Sequence, residues 1–432
     1  MQLFKIISKS IKVIRNEGTA GLLKVAKSKM KRFAPWMNKD LSVNAHIRSE
    51  LRNSDLLSTL FIQSSTPRLN IVTDSLTKES FFGGVATSVL LSTLFAKKFN
   101  HTLRLISRST LSKPHAYFQF LKMVGISPPE KVEFYSDHLR EEGKNHFKLE
   151  TSSNDIYIAT SWWSSKAIQS ANLKPYYFYL LQEAEPQFYN HGDLQLFCKN
   201  TLEDPKARYI VNTKLLHDYL IHHDYEQVKK HSTSFEPAFP LFSPSETSFK
   251  KKNKFRFFFY ARPNHPRNLF LHGLQFLDTA ISTGILSPDE WEFIFAGSDA
   301  LPKIEFSAGV KPKNHGNMTW SEYAQLAGTV DLCFSLMYTP HPSYPPLDFA
   351  ASGSVVLTNT CAGKACLPYS KNIICAEPTM PAMLEGFKTA VHLAKDPLQR
   401  EQHFKENQIS RDWESSFRET LEYMSKVIHK NG

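Results

Sequence analysis

The stretch from Val330 to Asn359, VDLCFSLMYTPHPSYPPLDFAASGSVVLTN, constrains this chain more than any other. Its apolar run from Leu332 to Met337 predicts a buried strand. The proline-dense loop that follows can continue neither as a helix nor as a central strand. A helix is expected to open at Pro345 or Pro346, where a missing N–H costs nothing. Ser352-Gly353 stops it after about two turns, and Val355 to Thr358 predicts the next buried strand. A strand, a helix and a parallel strand in that order place the helix N-terminus at the carboxyl ends of the strands. Its unpaired N–H groups there attract an anion, most often phosphate.

The rest of the 432 residues exceeds one hydrophobic core, and about two to three domains are expected. Arg68 to Asp74 predicts a strand, Gly83-Gly84 opens an amphipathic helix to about Phe99, and TLRLISRS is a further strand. This βαβ unit carries neither a dinucleotide fingerprint nor a phosphate-loop lysine, so hydride chemistry and NTP hydrolysis lose their usual signals. The Gly83-Gly84 pair lets a bound group approach the backbone or simply makes a tight turn. Apolar pieces recur at VEFYS, DIYIATSWW, YYFYLLQ and ARYIVN, and residues 231–254, rich in Pro, Ser, Thr and Lys, break the pattern. A second α/β series starts at KFRFFFYARP and includes a helix at SEYAQLAGT with Ser321 as expected N-cap. The expected division is a helical extension and connector over 1–66, Rossmann-like domains over 67–240 and 250–395, and a helical segment over 396–432 that can cross back to the first domain.

The net charge of +11 is not spread evenly: residues 1–35 hold nine Lys or Arg against Glu17 alone, or +8 of the total. Nucleic-acid binding therefore has little support from the body of the chain. Leu3, Ile7, Ile11 and Ile14 recur at helical spacing among those lysines, the pattern of a basic amphipathic helix that lies on an anionic membrane surface. No run reaches the roughly 18 apolar residues that spanning a bilayer requires. Five scattered cysteines suit a reduced, cytoplasmic protein, and the Cys361–Cys366 spacing is wrong for zinc. No metal site is expected.

The segments YARPNHPRN, Asn314-His315-Gly316 before SEYAQL, and PHPSYPPLDFA resemble, in order, the nucleotide-binding half of retaining glycosyltransferases of the GT-B architecture, family four. Taken with FFGGVATSV and QEAEPQFY, they more narrowly resemble WsaF-type rhamnosyltransferases over residues 68–395. The resemblance implies two Rossmann-like domains facing each other across a cleft, with Arg262 and Arg267 gripping a diphosphate. It places Gly83, Gly84, Asn314, His315, Ser343, Tyr344, Pro345 and Asp348 around the donor, with the amides of the Ser343–Pro346 loop on the phosphates. Asp348 would accept from the sugar of the nucleoside. The broader family has two glutamates eight positions apart where this chain has Pro340 and Asp348. Glu183 and Glu185 are expected to face the acceptor, although a salt bridge or a helix-start carboxylate explains either equally well. Trp162, Trp163 and Tyr189 suit sugar stacking or core packing alike, and His315 and His341 suit sugar contacts, although a plain loop histidine explains either better.

The implied reaction is metal-independent, cofactor-free transfer from dTDP-L-rhamnose or a related nucleotide sugar to a lipid-linked or growing surface glycan, at the inner face of the cytoplasmic membrane through residues 1–33. The competing expectation is a non-catalytic partner in a glycan-assembly complex that kept the fold. Oligomeric state is not legible.

Overall fold

The computed structural model describes residues 42–137, 148–223, 225–298 and 301–431. The basic stretch 1–33, with its expected membrane helix, lies outside the described residues. Two units form, Met1–Asp55 and Leu56–Gly432. In the first, residues Val43–Glu50 are helical.

The second unit carries two parallel sheets. Seven strands make the first, in the order β4-β3-β2-β6-β7-β8-β9. They are β2 (Arg68–Thr73), β3 (Thr102–Ser107), β4 (Val132–Ser136), β6 (Asp155–Ala159), β7 (Tyr177–Leu181), β8 (Ala207–Asn212) and β9 (Ser232–Phe235). A short pair, β1 (Thr59–Phe61) with β5 (Leu149–Thr151), stands apart. The second sheet has the order β12-β11-β10-β13-β14-β15, from β10 (Phe255–Tyr260), β11 (Trp291–Ala296), β12 (Lys313–Asn314), β13 (Leu332–Phe334), β14 (Val355–Asn359) and β15 (Ile373–Ala376). Helices cover both faces of such sheets, so their strands read as unbroken apolar runs. Every residue of β2, β3, β7 and β14 is buried.

Four local expectations are corrected. Ser232–Phe235, read as part of a linker, pairs with β8, because alternating Ser and Thr are adequate on a sheet edge. The Leu332–Met337 strand ends at Phe334, since the Met337 N–H turns to the Asn359 side chain. The Gly83–Lys98 helix is buried on all sides from Ala86 to Ala96. Ser88 and Ser92 satisfy their hydroxyls within the helix and so tolerate burial. The Trp320–Ala327 helix is capped by Thr319 rather than Ser321: its Oγ1 accepts from the Glu322 N–H, and the Glu322 carboxylate accepts from the Thr319 N–H at 2.8 Å. A capping box two residues upstream outcompetes a lone serine.

Phenylalanine fills the second lobe, where Phe257, Phe259, Phe293, Phe295, Phe334 and Phe387 form one core. The adjoining helix approaches so closely at Gly273 that a Cβ there would sit 2.5 Å from Phe259. Beneath this sheet the buried Asp331 carboxylate binds Arg400 at 2.8 Å, Lys252 at 2.6 Å and the Arg256 N–H at 2.9 Å. The chain then returns to the first lobe, where Trp413, Phe417, Leu421 and Met424 join its core. Both lobes are therefore tied at two places, the segment after β9 and the C-terminal helices.

Candidate active site between the lobes

The site is built where the carboxyl ends of the two sheets meet. In the second lobe, Asn359 at the end of β14 clamps one peptide: its Oδ1 accepts from the Met337 N–H and its Nδ2 donates to the Met337 carbonyl at 3.1 Å. That clamp fixes the base of the loop to Ser343, which adopts φ +69°. Ser343 donates its N–H to Nδ1 of His341 at 3.0 Å. Burial first, then the Lys364 and Arg267 charges, push the His341 imidazole down to about 3, so the ring is neutral and its remaining proton sits on Nε2. That buried nitrogen has no hydrogen-bond partner.

The expectation that the amides of Ser343 to Pro346 cradle phosphate is corrected here. The Ser343 N–H is already spent on His341, and Pro345 and Pro346 have none. Only the Tyr344 amide is left among the four. The same prolines that open the helix thus remove the donors that would make its start an anion site, and cationic side chains must supply that charge.

Tyr344, first residue of the Tyr344–Ala351 helix, reaches across to the other lobe. Asn212 at the end of β8 donates to its phenolic oxygen at 2.7 Å, and the phenol pairs with Thr87 at 2.6 Å. Thr87 donates to the Gly83 carbonyl at 3.0 Å, which leaves its oxygen to accept from Tyr344. One directed chain therefore runs Asn212 to Tyr344 to Thr87 to Gly83. Gly83 holds φ +49°, and a Cβ on it would stand 3.6 Å from the Tyr344 ring. Gly84 accepts from Gln182 at 2.8 Å through its carbonyl, and a Cβ would press that amide at 3.0 Å. Close approach thus matters at Gly84, toward Gln182, whereas at Gly83 the left-handed backbone is the constraint. Nearby, Trp320 stacks on Phe82 with centroids 4.9 Å apart and donates to the Phe81 carbonyl.

Glu183, just past β7, belongs to the first lobe, but its carboxyl is surrounded by the second. Oε1 lies 3.4 Å from Arg267 Nη1 and 4.0 Å from His341 Nδ1, and Thr339 and Lys364 also face it. Burial raises its carboxyl to about 7, against the opposing Arg267 charge and the Thr339 hydrogen bond. Glu183 Oε2 and Arg267 Nη1 lack hydrogen-bond partners despite burial. With His341 Nε2, three neighbouring side chains thus each keep a buried polar atom without a hydrogen bond, a group of the kind a folded chain usually satisfies. The Arg267 guanidinium rests 3.9 Å from the Phe188 ring centroid.

The other expected residues spread around this centre. Arg262 bonds Nε2 of His265, whose imidazole is held down at about 4 by burial and then by Arg262 and Arg267. Arg262 lies against Gly297, which donates to the Gly316 carbonyl, so the exposed Asn314 and His315 border the Arg262 side. Two carboxyls turn inward. Glu185, 4% exposed, accepts from the Trp162 N–H at 2.9 Å and starts that short helix. Burial pushes it up to about 8. Asp348, 3% exposed, accepts from Tyr323 at 3.1 Å, and burial carries its carboxyl well above the usual range. Trp162 donates to Tyr189 and Trp163 to Asp74 through their indole N–H groups. Sequence reading missed Thr87, Asn212, Thr339 and Lys364. Thr87 is an ordinary helix residue and Asn212 an ordinary strand residue in sequence, and Lys364 carries no motif.

The layout of two parallel α/β lobes with ionic and orphaned polar groups at their facing carboxyl edges is that of a GT-B glycosyltransferase. Family models agree: the N-terminal domain of WsaF matches residues 68–214 and the C-terminal domain of WsaF matches residues 255–388. The chain belongs to the WsaF family. It is 30% identical over 245 residues to the O-antigen biosynthesis protein RfbC of Myxococcus xanthus, a match covering 55% of this chain and 18% of that protein. The chain thus spans about a fifth of the length of that relative. In fold it is similar to Anabaena HepE in complex with UDP-glucose, at 13% identity and a TM-score of 0.54, over 83% of this chain and 99% of that one. It is also similar to WaaG, a glycosyltransferase involved in lipopolysaccharide biosynthesis, at 10% identity and a TM-score of 0.52, over 82% and 98%. Among the described residues no helix is long and apolar enough to cross a membrane.

Proposed function

We propose that this glycosyltransferase moves a sugar, L-rhamnose from dTDP-L-rhamnose, onto a bacterial cell-surface polysaccharide or lipid-linked glycan, with retention and without a metal. The observation that carries the reading is the seating of Glu183 among second-lobe side chains, with unpartnered atoms on Glu183, Arg267 and His341. A donor in the cleft gives each of them a partner. Arg267 and Arg262 meet the diphosphate as charge grows on the leaving oxygen, where guanidinium forks fit phosphate. His341 Nε2–H donates to a sugar hydroxyl and the Glu183 carboxylate accepts from one, and the lobes hold donor and acceptor on one face. No Asp or Glu from the Pro340 position takes part; Glu183 reaches the same loop from the opposite lobe. RfbC's role in O-antigen biosynthesis and WaaG's in lipopolysaccharide biosynthesis support a surface glycan as product, and HepE's UDP-glucose supports a nucleotide-sugar donor. Membrane association through residues 1–33 rests on their charge and apolar spacing.

The test is release of nucleoside diphosphate by the purified protein from dTDP-L-rhamnose compared with UDP-glucose, with a rhamnose-containing acceptor. Arg262→Ala is expected to lower turnover at least about tenfold, the worth of one charge-assisted contact. Unchanged turnover in that variant removes the diphosphate assignment. Calorimetric donor binding without any turnover favours the non-catalytic reading. Anionic liposomes should lose the protein when residues 1–33 are deleted, with donor affinity unaltered.

A further inference from the structure

Among the described residues, the buried arginines are paired. Arg68 meets Asp155 at 2.7 Å, Arg104 meets Glu133 at 2.7 Å, Arg108 meets Asp137, and Arg400 shares Asp331 with Lys252. Lys364 is the exception among the described residues: it is 0% exposed, forms no ion pair within 4.0 Å, and donates from Nζ only to the Met337 carbonyl at 2.6 Å. An ammonium has three donors and is costly to bury with one neutral acceptor. The turn that holds it is fixed by two backbone bonds between Cys361 and Lys364, at 3.0 and 2.7 Å. That turn follows β14, at the carboxyl edge of the second sheet, and places the ammonium within electrostatic reach of Glu183 and His341.

A purely structural role does not account for it. The Met337 carbonyl already accepts from Asn359 at 3.1 Å, and the Met337 N–H is held by the same side chain, so the loop is pegged without lysine. We propose that Lys364 is a donor-site cation which, with Arg267, forms the electropositive wall of the interlobe site and is neutralised by the diphosphate of the donor. This rests on the glycosyltransferase reading above and adds a residue to it. It also answers the shortage of amides at the Tyr344 helix start: a lysine from the neighbouring loop supplies the charge that Pro345 and Pro346 cannot attract. Burial brings the ammonium down to about 8; burial also raises the neighbouring Cys361 and Cys375 thiols and keeps them neutral, which leaves Glu183 as the charge that favours the ammonium. At neutral pH Lys364 is still charged, and it loses that charge as pH rises through about 8. Glu183 gains its own charge near 7, so diphosphate binding weakens on both counts as pH rises.

The experiment measures binding of dTDP, dTMP and thymidine, with UDP, UMP and uridine in parallel, to full-length wild type, Lys364→Met and Lys364→Arg. Lys364→Met should weaken the diphosphates by about ten- to a hundredfold, the range for a hydrogen bond to a charged group. Nucleoside affinity should stay within about twofold. Lys364→Arg should retain diphosphate binding and carry the loss of affinity to higher pH. A parallel fall for nucleoside and diphosphate, or no fall, overturns the proposal and leaves Lys364 a peg. If Lys364→Met does not fold, wild type against Lys364→Arg decides: identical pH dependence between 7 and 10 overturns it. Should wild type bind no nucleoside diphosphate, the glycosyltransferase reading fails first, a result distinct from a wild type that binds and a Lys364→Met that binds equally.

Discussion

Tyr344→Phe tests whether the lobes are joined by a hydrogen-bond chain or merely touch. The phenol accepts from Asn212 at 2.7 Å and donates to Thr87 at 2.6 Å. Burial keeps that phenol protonated, raised to about 12. Removing it has unequal effects on its neighbours. Thr87 loses an incoming bond but still donates to Gly83, a loss of about 1 kcal/mol. Asn212, 0% exposed, keeps an N–H that no longer has an acceptor, which costs about 1–3 kcal/mol. The sum is about 2–4 kcal/mol, or roughly 4–8 °C at about 2 °C per kcal/mol for a chain of this size. Thermal unfolding of wild type, Tyr344→Phe, Asn212→Leu and the double variant measures it. In the Asn212→Leu background there is no donor to strand, so the phenylalanine should cost only about 1 kcal/mol, and the difference is the coupling energy. A Tyr344→Phe midpoint within about 1 °C of wild type, or the same cost in both backgrounds, refutes the directed chain.

Asp331→Ala should destabilise by about 3–5 kcal/mol in denaturant titration, because it leaves Arg400 as an uncompensated buried charge with Lys252 beside it. Glu185 is raised to about 8 by burial and is ordinary when unfolded, so the folded state holds the extra proton between those values and stability falls as pH rises from about 4.5 to 8. Glu185→Gln, which still accepts from the Trp162 N–H, should flatten that decline and be at least as stable as wild type at pH 8; an unchanged slope counts against it. At Glu183, burial is the larger influence and Arg267 the largest opposing charge. Arg267→Ala should therefore move the Glu183 ionisation upward from about 7, read as an upward shift of the corresponding limb in the pH profile of donor turnover.

How much of this was legible follows from what local sequence encodes. The buried strands at Arg68–Thr73, Phe255–Tyr260 and Val355–Asn359 are apolar runs long enough to announce themselves, and the alternation of strands and helices implies parallel sheets without further information. The Tyr344 helix opening and its stop at Ser352 are written in proline and glycine. Side-chain partnership across the lobes has no such signature. Gly83 and Gly84 stand out as glycines, yet that Gly84 makes room for Gln182 depends on a segment far along the chain. Pro340 breaks the pattern of two acids in sequence, while the carboxyl that occupies the same loop comes from Glu183, more than 150 positions earlier.

By itself, then, the sequence determined the elements, the two α/β lobes and the neighbourhood of the site, because periodicity and turn chemistry act within a few residues. Only the tertiary structure decided that Glu183 sits among Arg267, Thr339, His341 and Lys364, that Tyr344 bridges to Asn212 and Thr87, and that Asp348 and Glu185 face inward. Those choices depend on which buried polar groups find partners once the lobes pack together, and that accounting closes only in three dimensions.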